Sequence, residues 1–213
     1  ELSVMGVTYD KTPPAFSSLS PSTGSTVNTS AVGYTLSELI ASGTVTYTRT
    51  GGTADGNVHT VSLLGTETNS GTKSYAVLRF APSLVNGSIY TIAFNGTDVA
   101  GNSATEVSVT GVTYDTTAPG FSSIRPYSFS KVNTSAVGYT LSEALASGTV
   151  TYTRTGGTAD GTHTVNLADD ELDSGTRASA VLTNAPTLVD GSIYTIAFNG
   201  TDAAGNSVTE VSV

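Results

Sequence analysis

The chain has 213 residues and sets 8 Lys plus Arg against 17 Asp plus Glu, a formal net charge of −9. Charged residues are 12% of it, against ~25% in an ordinary soluble protein, so the clustered Lys and Arg of a phosphate-backbone binder are missing and nucleic acid is excluded as a partner. There is no Cys, which rules out disulfides, thiolate metal sites and Cys nucleophiles; no apolar run approaches the ~20 residues of a spanning helix, so membrane insertion is not expected of this chain.

Two near-copies of one unit fill the sequence. GVTYD at Gly6–Asp10 returns at Gly111–Asp115, SAVGYTLSE at Ser30–Glu38 at Ser135–Glu143, and GTVTYTRTGGTADG at Gly43–Gly56 at Gly148–Gly161. GSIYTIAFNGTD at Gly87–Asp98 returns at Gly191–Asp202. The opening ELSVMGVTYD aligns with residues 106–115, so residues 1–10 read as the tail and linker of a preceding repeat. The organisation expected is a first repeat over 11–110, a linker over 111–115, and a second repeat over 116–213. The chain reads as a window on a longer array.

In chain order the first repeat predicts seven strands: A at 15–20, B at 30–37, C at 43–50, D at 58–64, E at 73–80, F at 88–95 and G at 103–110. Strand B carries an inward row of Val32, Tyr34 and Leu36. Strand C alternates strictly, with Val45 and Tyr47 on one face and Thr44, Thr46, Thr48 and Thr50 on the other, the period of a half-buried strand. Ala76 and Leu78 mark strand E, Tyr90, Ile92 and Phe94 strand F, and Val107 and Val109 strand G. Clusters of Gly, Pro, Asn and Ser break the pattern about every ten residues, the spacing of a β-sandwich. Leu84–Tyr90 and Leu188–Tyr194 share the L-x-x-G-x-x-Y spacing of a tyrosine corner, in which the Tyr hydroxyl bonds back to the preceding connection. The expected fold is all-β: tandem immunoglobulin-like, seven-strand Greek-key sandwiches without the Cys pair and Trp of antibody domains.

Such a sandwich sends alternate loops to opposite poles, and most of the acids fall at one. Asp10 precedes strand A, Glu38 opens the B–C loop, Glu67 lies between D and E, and Asp98 opens the F–G loop; Asp115, Glu143, the run Asp169–Asp173 and Asp202 repeat the placement. Asp55, Asp160 and Asp190 fall at the other pole. Crowded carboxylates repel one another unless something neutralises them, and Ca²⁺, bound by about six to eight oxygens in loose geometry, is suited to do so. Asp98–Asn102 and Asp202–Asn206 each add an amide oxygen on a tight turn. The candidate ligands are therefore Asp10, Glu38, Asp98, Asn102, Asp115, Glu143, Asp202 and Asn206, with Asp55 a further candidate from across the joint. D-x-A-G-N is equally a metal-free turn, with Asp bonding its own backbone, and Asp115 before Thr-Thr-Ala-Pro also fits linker punctuation. The run Asp169–Asp173 is expected as a solvated loop.

The D-x-T-x-P linker at Asp10, its looser form at Asp115–Pro119, YTLSE and D-x-A-G-N together give the chain a family likeness. It resembles the bacterial Ig-like repeats of large surface adhesins over essentially its whole length. The resemblance implies an extracellular location on the bacterial cell surface and a stalk of many repeats. Its partners would be adjacent repeats of the same chain, with a glycan or host-surface ligand for the parent protein, and Ca²⁺ at the joints. The joints also look like those of cadherins, although the cadherin ligand motifs are absent as such.

Other signals are weak. His59 and His163 occupy equivalent positions with no second nitrogen or sulfur ligand, so they read as strand residues rather than zinc ligands. Gly51–Gly56 reads as the C–D turn rather than a phosphate loop, since it opens no helix. No nucleophile–base constellation suggests itself, so no enzymatic activity is expected. The alternative to the stalk is a glycan- or protein-binding adhesive module using the 126–131 loop, where Tyr127 and Phe129 replace Ser22 and Gly24 of the first repeat.

Overall fold

A computed structural model describes residues 2–208 and 211–213. The chain divides into two compact units, Glu1–Thr116 and Thr117–Val213.

In unit 1, β1 (Phe16–Ser20), β3 (Val32–Leu36) and β6 (Gly71–Ala76) form one sheet in the order β1-β3-β6. The second sheet runs β2-β8-β7-β4-β5, from β2 (Thr26–Val27), β8 (Val107–Tyr114), β7 (Ser88–Asp98), β4 (Ile40–Gly52) and β5 (His59–Ser62). The chain changes sheets between β3 and β4 and on both sides of β6, so the two sheets are interlocked by their connections. All pairings are antiparallel except that of β2 with β8, which is parallel, with Thr26 opposite Thr113 and Val27 opposite Tyr114. The four-residue β5 pairs with β4 rather than joining the β1–β3–β6 sheet, unlike strand D of a constant-type immunoglobulin domain.

Alternation drives this arrangement. Along β7 every second residue from Ser88 to Asp98 is buried, and Val45 and Tyr47 of β4 are fully buried opposite Phe94 and Ile92. Phe16, Tyr34 and Phe94 meet across the sheets with ring centroids 5.5–6.0 Å apart. Two of the deep Tyr residues place their hydroxyls on backbone carbonyls: Tyr34 donates to Glu67 O at 2.8 Å and Tyr47 to Ser30 O at 2.7 Å. Burial therefore leaves no polar atom unmatched there. On the outer faces, Thr35 and Thr72 lie hydroxyl to hydroxyl at 3.0 Å and Thr46 and Thr60 at 3.3 Å.

Unit 2 repeats the plan with β9 (Phe121–Arg125), β10 (Val137–Leu141) and β13 (Gly175–Ala180) in one sheet. The other holds β12 (His163–Asn166), β11 (Ser147–Gly157), β14 (Ser192–Thr201) and β15 (Val211–Ser212). Among the described residues no counterpart of β2 forms in this unit.

Several expectations need correction. Residues 111–114 are the second half of β8 rather than a linker, because Val112 is buried at 2% exposure and Thr113 N donates to Ser25 O at 2.9 Å. Strand G thus lies later than 103–110; Ser103 makes only an isolated bridge to Thr97. Strand C is longer than expected at both ends. Strand E is shorter, and Ala76 is exposed while Leu78, just beyond the strand, is buried. The run Asp169–Asp173 is not a purely solvated loop. Asp169–Leu172 is a 3-10 turn, and buried Glu171 accepts from Ala168 N at 2.8 Å and Thr183 N at 2.7 Å.

The Gly51-Gly52 turn has its own cause. Gly52 has φ +67°, and a Cβ there would lie 2.1 Å from Gly87 O. The Arg49 guanidinium closes the turn by donating to Gly52 O and Thr53 O at 2.6 and 2.7 Å.

Candidate metal centre

Register fixes the acidic pole of unit 1. Ile40, the first residue of β4, faces Asp98, the last of β7, while Leu36 at the end of β3 faces both Phe16 and Gly71, the first residues of β1 and β6. The segment entering β1, which carries Asp10, the β3–β4 turn with Glu38 and the end of β7 with Asp98 therefore come together. One carboxylate oxygen from each of these three residues lies within 4.8 Å of the other two. Asp98 is buried at 3% exposure, and Asp10 and Glu38 are half-buried.

The turn after β7 is built around Asp98. Its Oδ1 accepts from Asn102 N at 2.8 Å and its Oδ2 from Asn102 Nδ2 at 2.8 Å, while Asp98 N donates to Asn102 O at 3.0 Å. Desolvation resists ionisation of Asp98, but the hydrogen bonds from the Asn102 side chain and from the backbone N–H groups of Asn102, Gly101 and Ala100 outweigh it. They hold its carboxyl below the usual value. Glu38 moves the other way: desolvation first, then the charges of Asp10 and Asp98, raise it above the usual value. Close carboxylates with one held ionised are the electrostatic situation that a hard divalent cation relieves.

Asn102 plays a part that sequence alone does not give. Its amide nitrogen, not its oxygen, faces the group, donating to Asp98 Oδ2 and, at 3.3 Å, to Asp10 O. In this geometry Asn102 braces Asp98 and ties the entering chain at Asp10 to the body of the domain. Thr12 N donates to Asp10 Oδ1 at 2.9 Å, an Asx turn that aims the same carboxylate.

In unit 2 the Asp202 turn is the same. Asn206 N and Nδ2 donate to Asp202 Oδ1 and Oδ2 at 2.8 and 2.9 Å, and Asp202 is buried at 4% exposure. Glu143 is half-buried in the β10–β11 turn of that unit. Asp115 is half-buried at the end of unit 1, where its N–H donates to Val27 O at 2.9 Å.

Asp55 lies at the pole of unit 1 opposite Asp98, as expected. It lies beyond the Gly52 end of β4, and β4 begins at Ile40, beside Asp98. There Asp55 Oδ2 accepts from the Tyr90 hydroxyl at 2.7 Å and pairs with His59 Nε2 at 2.7 Å, and Oδ1 accepts from Asn57 N at 3.1 Å. These bonds, Tyr90 first, then His59 and Asn57, hold the Asp55 carboxyl down at about 2. Tyr90 in turn accepts from Val85 N at 3.0 Å, which is the tyrosine corner. In unit 2 Asp160 joins Tyr194 and His163 in the same way, and Tyr194 accepts from Val189 N at 3.1 Å. The spacing of Asp before His, beside a tyrosine corner, is the sequence signal for this group.

The architecture, the missing antibody Cys pair and the polar D-x-A-G-N turn agree with a family comparison, in which the model of the bacterial Ig-like domain matches residues 10–113. The first repeat is a bacterial Ig-like domain. The second is its near-copy in sequence and strand order. Bacterial Ig-like domains are generally non-catalytic structural modules and typically occur in surface proteins. A search of curated proteins returns no match. Among the described residues no helix is long and apolar enough to cross a membrane.

Proposed function

We propose that the two bacterial Ig-like units are extender repeats in the extracellular stalk of a bacterial surface protein, without catalytic activity, and that Ca²⁺ stiffens the points where chain enters each repeat. The observation that carries the Ca²⁺ reading is the convergence of Asp10, Glu38 and Asp98 within 4.8 Å. Asp10 belongs to the entering segment and the other two to the body of the domain, so a shared cation fixes one to the other. Three carboxylates supply up to about six oxygens, and water completes the shell. By the sequence repeat, Asp115, Glu143 and Asp202 would do the same for the second unit. With strands rising ~3.3 Å per residue, each repeat adds roughly 40 Å of reach.

Extracellular-type sites bind Ca²⁺ with Kd near 10⁻⁴ M. Millimolar Ca²⁺ is expected to raise Tm by about 5–10 °C over EDTA in a domain of this size. Glu38→Gln, which leaves the Asp98 turn intact, should remove that rise for unit 1. Identical melting curves and identical scattering profiles in Ca²⁺ and EDTA would sink the Ca²⁺ reading and leave the spacer. A second reading, an adhesive module, is favoured by exposed Tyr127 and Phe129, at 62% and 105%. Glycan-array binding by this chain, lost in Tyr127→Ala, would put it first.

A further inference from the structure

The two repeats agree through the core and part company in the turn after the first strand. Val45, Tyr47, Ile92 and Phe94 return unchanged as Val150, Tyr152, Ile196 and Phe198, whereas Ser20, Ser22, Gly24 and Thr26 become Arg125, Tyr127, Phe129 and Lys131. Four small residues at alternate places are exchanged for two cations and two aromatic rings. The turn itself is kept: Ser25 N donates to Ser22 O at 3.2 Å in unit 1, and Ser130 N to Tyr127 O at 3.1 Å in unit 2. Its third residue has a positive φ in both, +77° at Gly24 and +62° at Phe129.

A left-handed third residue suits Gly, and a bulky side chain there is strained. Burial does not offset that strain, because the Phe129 ring is 105% exposed and Tyr127 is 62% exposed. The outward direction belongs to the turn itself. In unit 1, where β8 runs beside it, Ser22, Thr23 and Gly24 are exposed too, and a Cβ on Gly24 would meet nothing within 4 Å. Arg125 is equally uncommitted. Its guanidinium lies over the Tyr127 ring, 3.7 Å from the centroid, and its Nη1 donates to Ile124 O at 3.0 Å. Among the described residues it has no ion pair. Arg49 and Arg154, by contrast, close their own turns by donating to Gly52 O and Gly157 O. A guanidinium held against a ring keeps a fork of N–H groups in its plane, the geometry that a carboxylate fits.

Resting on the adhesive reading above, we propose that Arg125 and the Tyr127–Ser130 turn bind a sugar that carries a single carboxylate at the end of a glycan. Arg125 takes the carboxylate in a bidentate pair. The C–H face of a sugar ring is apolar and slightly positive, so it lies against the negative face of the Phe129 ring. The Tyr127 hydroxyl, both donor and acceptor, serves a sugar hydroxyl. Charge narrows the ligand further. A chain of net charge −9 opposes an extended polyanion along its length, whereas one carboxylate meets only the local cations Arg125 and Lys131. An acidic peptide supplies the carboxylate without a rigid apolar face for the exposed ring.

The test titrates the isotope-labelled whole chain, followed by NMR, with sialyllactose, a disaccharide ending in glucuronic acid, lactose, heparin and a Glu-rich peptide. Amide shifts centred on Arg125–Ser130 are expected with at least one of the two carboxylated sugars. Lactose should bind the chain at least about tenfold more weakly, as should the carboxylated sugar the Arg125→Gln variant, because each lacks the charge-assisted pair. Phe129→Gly separates site from fold. It restores the residue that unit 1 uses in this turn, so Tm holds or rises while binding falls by about tenfold or more. A fall in Tm would show that the ring serves the fold and overturn the proposal. Lactose bound as tightly, or binding kept in Arg125→Gln, overturns the acidic ligand and leaves the adhesive reading standing. Preference for heparin or for the peptide overturns it in favour of a polyanion or a protein partner. Silence toward every probe overturns it as well, and a glycan array that is also silent takes the adhesive reading with it.

Discussion

Protonating Asp55 removes the acceptor shared by Tyr90, His59 and Asn57. Its carboxyl is held at about 2 against an ordinary 3.8, as is that of Asp160. A depressed folded value means the stabilisation is complete above the ordinary value and is lost as pH falls from there toward about 2. Urea midpoints are expected to drop across that window, and the double variant Asp55→Asn, Asp160→Asn should flatten the profile there while lowering stability at neutral pH. An unchanged acid limb would show that these two groups do not govern it. The bond from Tyr90 to Asp55 was not legible in the sequence, because an acid in a loop carries no sign of what it faces and Tyr90 is 35 residues away. The convergence of Asp10, Glu38 and Asp98 was legible because Asp10 precedes β1, Glu38 lies between β3 and β4 and Asp98 ends β7, so the strand order brings all three to one pole.

At the scale of elements, the strands with strict alternation, β3, β4 and β7, were readable to within a few residues. The failures have separate causes. β2 is two residues long and has no period to detect. β8 begins late because the D-x-A-G-N turn is followed by Ser103 and Ala104 folding back onto Thr97 and Gly96 before pairing starts. β6 is an edge strand with a single half-buried residue, Lys73, so its apolar residues say little about direction. The tyrosine corner ties two connections to a strand: Val85 before β7 and Asp55 after β4 both bond Tyr90 within β7. Tyr90→Phe keeps the ring and removes the hydroxyl, leaving Val85 N without its partner. The expected cost is about 1–3 kcal/mol in denaturant unfolding. A loss under about 0.5 kcal/mol would mean that water replaces the hydroxyl without penalty.

At the scale of the whole chain, two units with separate cores, one around Tyr34, Tyr47 and Phe94 and the other around Tyr139, Tyr152 and Phe198, imply two unfolding events. Calorimetry of the 213-residue chain is therefore expected to show two transitions, each assigned to its unit by residue-resolved hydrogen exchange. A single sharp transition would contradict this.

The parallel pairing of β2 with β8 has a mechanical consequence. Tension that enters unit 1 before β1 and leaves after β8 drags these two strands in opposite directions along their length. The bonds from Thr113 N to Ser25 O and from Asp115 N to Val27 O then bear the load side by side instead of opening in succession, so a pull on the chain meets this pair as a clamp.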